Sequence, residues 1–144
     1  MVRRIPKRFF SQKFFSLPIA RKIFIRRKLE RESKELLGEV KKLANDIHAL
    51  HRSVLSPSGL KKTDAIKKLQ TILVRRRNLE QRSFKFCDMA EKYFTSFNAF
   101  MPQTSLTPEN MNPIEMKLHK FGKGLDECSK FLPVLEKDIQ LIKR

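Results

Sequence analysis

Tryptophan is absent from this sequence, tyrosine occurs once, and glycine only four times in 144 residues. So few glycines argue against an all-β sandwich or barrel with its many Gly-rich turns, and for helices. Cysteine occurs twice, at Cys87 and Cys128, with no CxxC or other paired spacing. A disulfide framework needs more than that, so two buried thiols in a reducing compartment are expected. No apolar run approaches the ~20 residues of a membrane span. The longest uncharged stretch, residues 93–108, is full of Thr, Ser, Asn, Gln and Pro. The chain is not expected to cross a bilayer.

Acids are scarce as well. There are 15 Asp and Glu against 32 Lys and Arg, a net charge of +17. A chain of this length is about one domain, and such a charge repels the compact state while attracting polyanions. The imbalance is graded: residues 1–60 carry 15 bases against 5 acids, residues 61–101 carry 10 against 4, and residues 102–144 carry 7 against 6. One end reads as a binding end and the other as a nearly neutral packing end. Hydrophobic residues make up 40%, enough for a modest core, so wholesale disorder is not expected.

Motifs for catalysis are missing too. Gly122-Lys123-Gly124 lacks the rest of a phosphate-binding loop, and there is no nucleophile motif or paired carboxylate in an apolar setting. The acids alternate with bases along helix surfaces, as in "LERESKELLGEVKK", where they suit i,i+4 pairing. His48 and His51 are three apart and could meet a metal from one helix face, but no third or fourth ligand has a recognisable spacing. We expect no enzyme, no metal and no cofactor.

What is present is heptad order. Leu36, Val40, Leu43, Ile47, Leu50 and Val54 step by four and three, which places them on one stripe of a helix over residues 31–55. Pro57 and Gly59 mark a turn after it. A second helix is predicted over 63–101, with Thr63 as N-cap and Asp64 in its first turn. Ile72, Leu79, Phe86, Tyr93 and Phe100 recur every seven residues along it, with Leu69, Ala90 and Phe97 as companions and Arg76 and Ser83 as interruptions. Such a helix would be roughly 58 Å long at ~1.5 Å per residue. The polar gap "RRRNLEQRS", residues 75–83, is the expected place for a kink or an outside partner. Arg76 points at the apolar stripe and needs an anionic partner or a stem laid along the core.

The third helix is predicted over 112–143, with Asn112 as N-cap, Pro113 in first position and Glu115 close behind. Ile114, Leu118, Phe121, Leu125, Cys128, Leu132, Leu135, Ile139 and Ile142 form its stripe. Pro133 is expected to kink or break it, and Gly122 and Gly124 to admit a close neighbour. The fold class is all-α: an antiparallel three-helix bundle, or an extended hairpin with a third helix laid along it.

The first 29 residues hold ten Lys or Arg and no acid, with Phe9, Phe10, Phe14 and Phe15 among them. An Arg-rich, Ser-bearing, acid-free start resembles a mitochondrial transit segment. Within it "RFFSQ" resembles a matrix-protease site, with Arg8 two residues before a cut between Phe10 and Ser11. We expect residues 1–30 to be a basic, aromatic-rich arm that stays attached to a helical domain over 31–144. Cations on such an arm suit nucleic-acid phosphates, and its Phe rings suit either unpaired bases or a protein groove.

These readings converge on a structural, non-catalytic component of a large ribonucleoprotein, specifically a mitochondrial ribosomal protein of the matrix. Its partners would be rRNA and neighbouring proteins of the assembly. On the arm, the RNA-binding residues expected are Arg3, Arg4, Lys7, Arg8, Lys13, Arg21, Lys22, Arg26, Arg27 and Lys28. On the second helix they are Arg75, Arg76, Arg77 and Arg82. The alternative is an accessory helical subunit of a mitochondrial respiratory or ATP synthase complex. Its basic N-terminus would lie on the anionic membrane surface, each Lys or Arg contributing ~1 kcal/mol.

Overall fold

Apolar residues three and four apart share one side of a 3.6-residue helix, and a stripe of that kind is stable only when another element covers it. In the computed structural model, which describes residue 5, residues 7–94 and residues 112–143, three such stripes cover one another. The chain is an all-α helical bundle. A 3-10 turn (Lys7–Phe9) and a single-turn helix α1 (Gln12–Phe15) precede three long helices, α2 (Ile19–Leu55), α3 (Lys62–Tyr93) and α4 (Pro113–Gln140). Among the described residues the only sheet-like pairing is an isolated bridge between Phe10 and Phe94.

The chain divides into two packing units, one of Met1–Leu37 with Gln81–Gly122, the other of Gly38–Glu80 with Lys123–Arg144. In the second unit, Val40, Leu43 and Ile47 of α2, Leu69 and Ile72 of α3, and Leu132, Leu135 and Ile139 of α4 are buried. These are the heptad positions read from the sequence. Helix α3 runs antiparallel to α4 there: Lys62 Nζ donates to the Gln140 carbonyl at 3.2 Å and Arg76 Nε to Ser129 Oγ at 2.8 Å. Gly124 meets α2 closely, since a Cβ at that position would lie 3.3 Å from Val40 Cγ1.

In the first unit, Ile25, Leu29 and Leu36 of α2, Phe86 and Ala90 of α3, and Ile114, Leu118 and Phe121 of α4 are buried. Phe121 has no exposed surface, so Phe121→Ala would cost about 3–5 kcal/mol. Arg82 ties α3 to α2: its Nε donates to Glu32 Oε2 at 3.1 Å and its Nη2 to Glu35 Oε2 at 2.5 Å. The hydrogen bond to Glu32 leads in raising the guanidinium pKa above its ordinary value, against the cost of burial. The start of α4 matches its sequence signal. Asn112 Oδ1 accepts the Glu115 N–H at 2.8 Å and Asn112 Nδ2 donates back to Glu115 Oε1 at 2.8 Å, a reciprocal cap.

Several expectations need correction. Helix α2 starts at Ile19 rather than near residue 31, because Ile25 and Leu29 continue the Leu36 stripe into the core. Residues 1–30 are therefore not an arm separate from the helices. Helix α3 starts at Lys62, so Thr63 lies inside its first turn and is not its N-cap. The gap over 75–83 does not break α3, which is met there by partners of the same chain. Arg76 finds Glu80 at 3.7 Å as well as Ser129. Helix α4 continues through Pro133. That residue is exposed, and Leu132 and Leu135 on either side are buried, so packing holds the helix across the missing donor. Cys128 is buried as expected and Cys87 is half-buried; both are free thiols. Phe97 and Phe100 lie outside the described residues.

Candidate polyanion interface

The last carbonyls of any helix lack partners within it. At the end of α3 the segment before α2 (the leader, residues 7–18) supplies two of them: the Ser11 N–H donates to the Tyr93 carbonyl at 2.9 Å, and the Ser11 hydroxyl to the Lys92 carbonyl at 3.0 Å. Phe10 stacks on Phe14 with ring centroids 4.0 Å apart, and on Phe94 at 5.4 Å. Both Phe10 and Phe14 are buried, as is Ile5. Two of the leader's rings are thus spent on anchoring it to the first packing unit.

Pro18 then sets the start of α2, with its carbonyl accepting the Lys22 N–H at 3.0 Å. The first turn of α2 contains no acid but does contain Arg21 and Lys22. Cations at a helix N-terminus oppose the macrodipole, so this stretch is electrostatically unfavourable until an anion approaches.

Lys7, Arg8, Lys13, Arg21 and Arg27 are exposed, and Lys22, Arg26 and Lys28 are half-buried. Arg8 lies 4.9 Å over the Phe9 ring, Lys22 6.0 Å over Phe15, and Arg21 and Lys28 5.8 and 5.9 Å over Phe24. Arg26 is paired with Glu30 at 3.3 Å. Among the described residues, Lys7, Lys13, Arg21, Lys22, Arg27 and Lys28 have no carboxylate within 4.0 Å. Arg3 and Arg4 lie outside the described residues.

The four arginines of α3 fare differently. Arg75 Nη1 is 2.5 Å from Asp46 Oδ2, Arg76 is held by Ser129 and Glu80, and Arg82 by Glu32 and Glu35. Arg77 alone among them is exposed and has no carboxylate partner among the described residues. A phosphate reaching Arg75, Arg76 or Arg82 would have to displace an internal partner. Of the fourteen cations expected to bind RNA, those without a carboxylate among the described residues are Lys7, Lys13, Arg21, Lys22, Arg27, Lys28 and Arg77.

Sequence reasoning missed that this segment also exposes large apolar side chains. Ile19 is 76% exposed, Phe24 54%, Ile23 48% and Phe15 41%. Phe10 pairs with Phe94 outside any helix, so no helical spacing signals that it and Phe14 turn inward together. The His51 Nε2 is 2.7 Å from Asp138 Oδ2, and among the described residues no group of three ligating side chains converges.

No protein-family model, curated protein or solved structure matches this chain.

Proposed function

We infer that this chain is a structural, non-catalytic RNA-binding component of a large ribonucleoprotein, specifically of the mitochondrial ribosome in the matrix. The observation that carries this reading is the set of six cations on the leader and first turns of α2 that have no carboxylate within 4.0 Å among the described residues. Arg75, Arg76 and Arg82 are paired within the bundle, whereas these six fall within residues 7–28 with no acid before Glu30, and polyanion phosphates are the partners that reward such a cluster. Each such pairing displaces a condensed counterion from the RNA, so the affinity is sequence-independent and falls steeply with salt. The transit-like start and its "RFFSQ" sequence support the compartment.

The role of the bundle is static. It anchors the leader through Phe10, Phe14 and Ser11, and offers neighbouring proteins exposed apolar residues such as Val74, Phe84 and Val134. Treatment of the native particle with RNase is the test. Release of the protein by RNase is the expected result; retention after RNase with release by detergent would contradict it.

One observation favours a second reading. Ile19, Ile23 and Phe24 are exposed between cations, and interfacial helices place apolar side chains among Lys and Arg in this way. A subunit of a mitochondrial membrane complex resting on anionic lipid is that reading, and the same detergent arm detects it.

A further inference from the structure

We propose that the cleft between the leader and the first turns of α2 takes one unpaired nucleobase of RNA, stacked against Phe15, with the flanking phosphates on Lys7 and Lys22. This deepens the RNA-binding reading and rests on it.

The cleft has a volume of about 270 Å³ and is walled by Phe15, Ile23 and the stems of Lys7, Lys22 and Arg26, over the buried rings of Phe10 and Phe14. Phe10 and Phe14 stack on each other and are already satisfied. Phe15 meets both of them edge-on, at 74°, and remains 41% exposed, so ring surface is left for an outside partner. Every base has a π-face to offer such a ring.

The rim fixes the sign of the occupant. The Lys22 ammonium lies 6.0 Å over the Phe15 ring, and neither Lys22 nor Lys7 has a carboxylate within 4.0 Å among the described residues. Arg26 is held by Glu30 and serves as wall. A planar apolar face beside two open cations matches a base with its own backbone phosphates. Among the described residues the lining side chains include no carboxylate, amide or hydroxyl, and with Lys7 and Lys22 assigned to phosphates the stacking face would tolerate any base. It would also discriminate against duplex RNA, whose bases are paired and stacked.

The test measures binding of the full chain to a labelled single-stranded oligouridine and to an RNA duplex of equal length across a salt series. Phe15→Ala should weaken single-strand binding on the order of tenfold, leave the slope of log K against log salt unchanged, and leave duplex binding unchanged. Phe15→Tyr should restore single-strand affinity. Lys22→Gln should make the slope shallower by about 0.7. If Phe15→Ala binds the single strand as tightly as the native chain does, base stacking is overturned while the RNA-binding reading stands. If neither RNA binds in a salt-dependent way, the reading itself fails and takes the cleft's assignment with it. Binding to phosphatidylserine vesicles that Phe15→Ala weakens, without single-strand RNA binding, would give the cleft to lipid and overturn the proposal.

Discussion

His51 Nε2 lies 2.7 Å from Asp138 Oδ2, and the Phe131 ring stands edge-on to the same imidazole at 4.9 Å. A carboxylate can only accept, so the shared proton is assigned to Nε2, which donates. The pair joins α2 to α4 inside the second packing unit, with both side chains mostly shielded from water. A double-mutant cycle of His51→Ala and Asp138→Ala should return a coupling of about 1 kcal/mol. A coupling near zero in denaturant titrations would mean the pair adds nothing to stability.

Two helical glycines should respond differently to alanine. At Gly38 in α2 an added methyl would meet nothing within 4 Å, so Gly38→Ala should stabilise by roughly 1 kcal/mol through helix propensity alone. At Gly124 the new Cβ would meet Val40 Cγ1 at 3.3 Å and Cγ2 at 3.4 Å. Val40 is buried and stiff about χ1, so Gly124→Ala should give no gain. Thermal melts of the two variants side by side check the contrast.

The reciprocal cap at the start of α4 gives a third expectation. Asn112 and Glu115 are both buried, and Asn112→Ala removes an acceptor for the Glu115 N–H and a donor to its carboxylate. The loss should be about 1–2 kcal/mol. Asn112→Asp keeps the acceptor but sets a second carboxylate beside the first, so it should not rescue. An aspartate variant as stable as the native chain would contradict the cap.

Burial pushes the Cys87 thiol up to about 12, with Glu91 and then Asp88 adding to the shift. Burial raises the Cys128 thiol too, helped by Glu127 and opposed by Arg76. In the unfolded chain such a thiol ionises near its ordinary value of about 9. The unfolded state therefore loses its proton first, and stability present below about pH 9 falls as pH climbs toward about 12. Native protein at about pH 8 should react slowly with a disulfide reagent at both thiols, and unfolded protein quickly. Rapid native labelling of Cys87 would contradict its protonated, shielded state.

The core of the second unit was legible because its stripe is uninterrupted: Val40, Leu43, Ile47, Leu50 and Val54 all fall on the predicted spacing and all are buried. The early start of α2 was not. Its stripe runs Ile25, Leu29, then Ser33, and a serine at a stripe position amid a run of cations hides the periodicity. Ser33 is buried at no polar cost, because its hydroxyl donates to the Glu30 carbonyl at 2.9 Å. For the site, the sequence reveals how many cations there are but not which are already matched. Arg75 meets Asp46 across 29 positions and Arg82 meets Glu32 across 50, and no local pattern signals either pairing.

Salt dependence of RNA binding tests the central claim most directly. Replacing Lys7, Lys13, Arg21, Lys22, Arg27 and Lys28 with glutamine together should make the slope of log K against log salt shallower by about 4, at about 0.7 for each phosphate no longer neutralised. Arg75→Gln, whose native partner is Asp46, should leave the slope where it was. An unchanged slope in the sixfold variant, or a native chain with no salt-dependent affinity for RNA, would contradict the account.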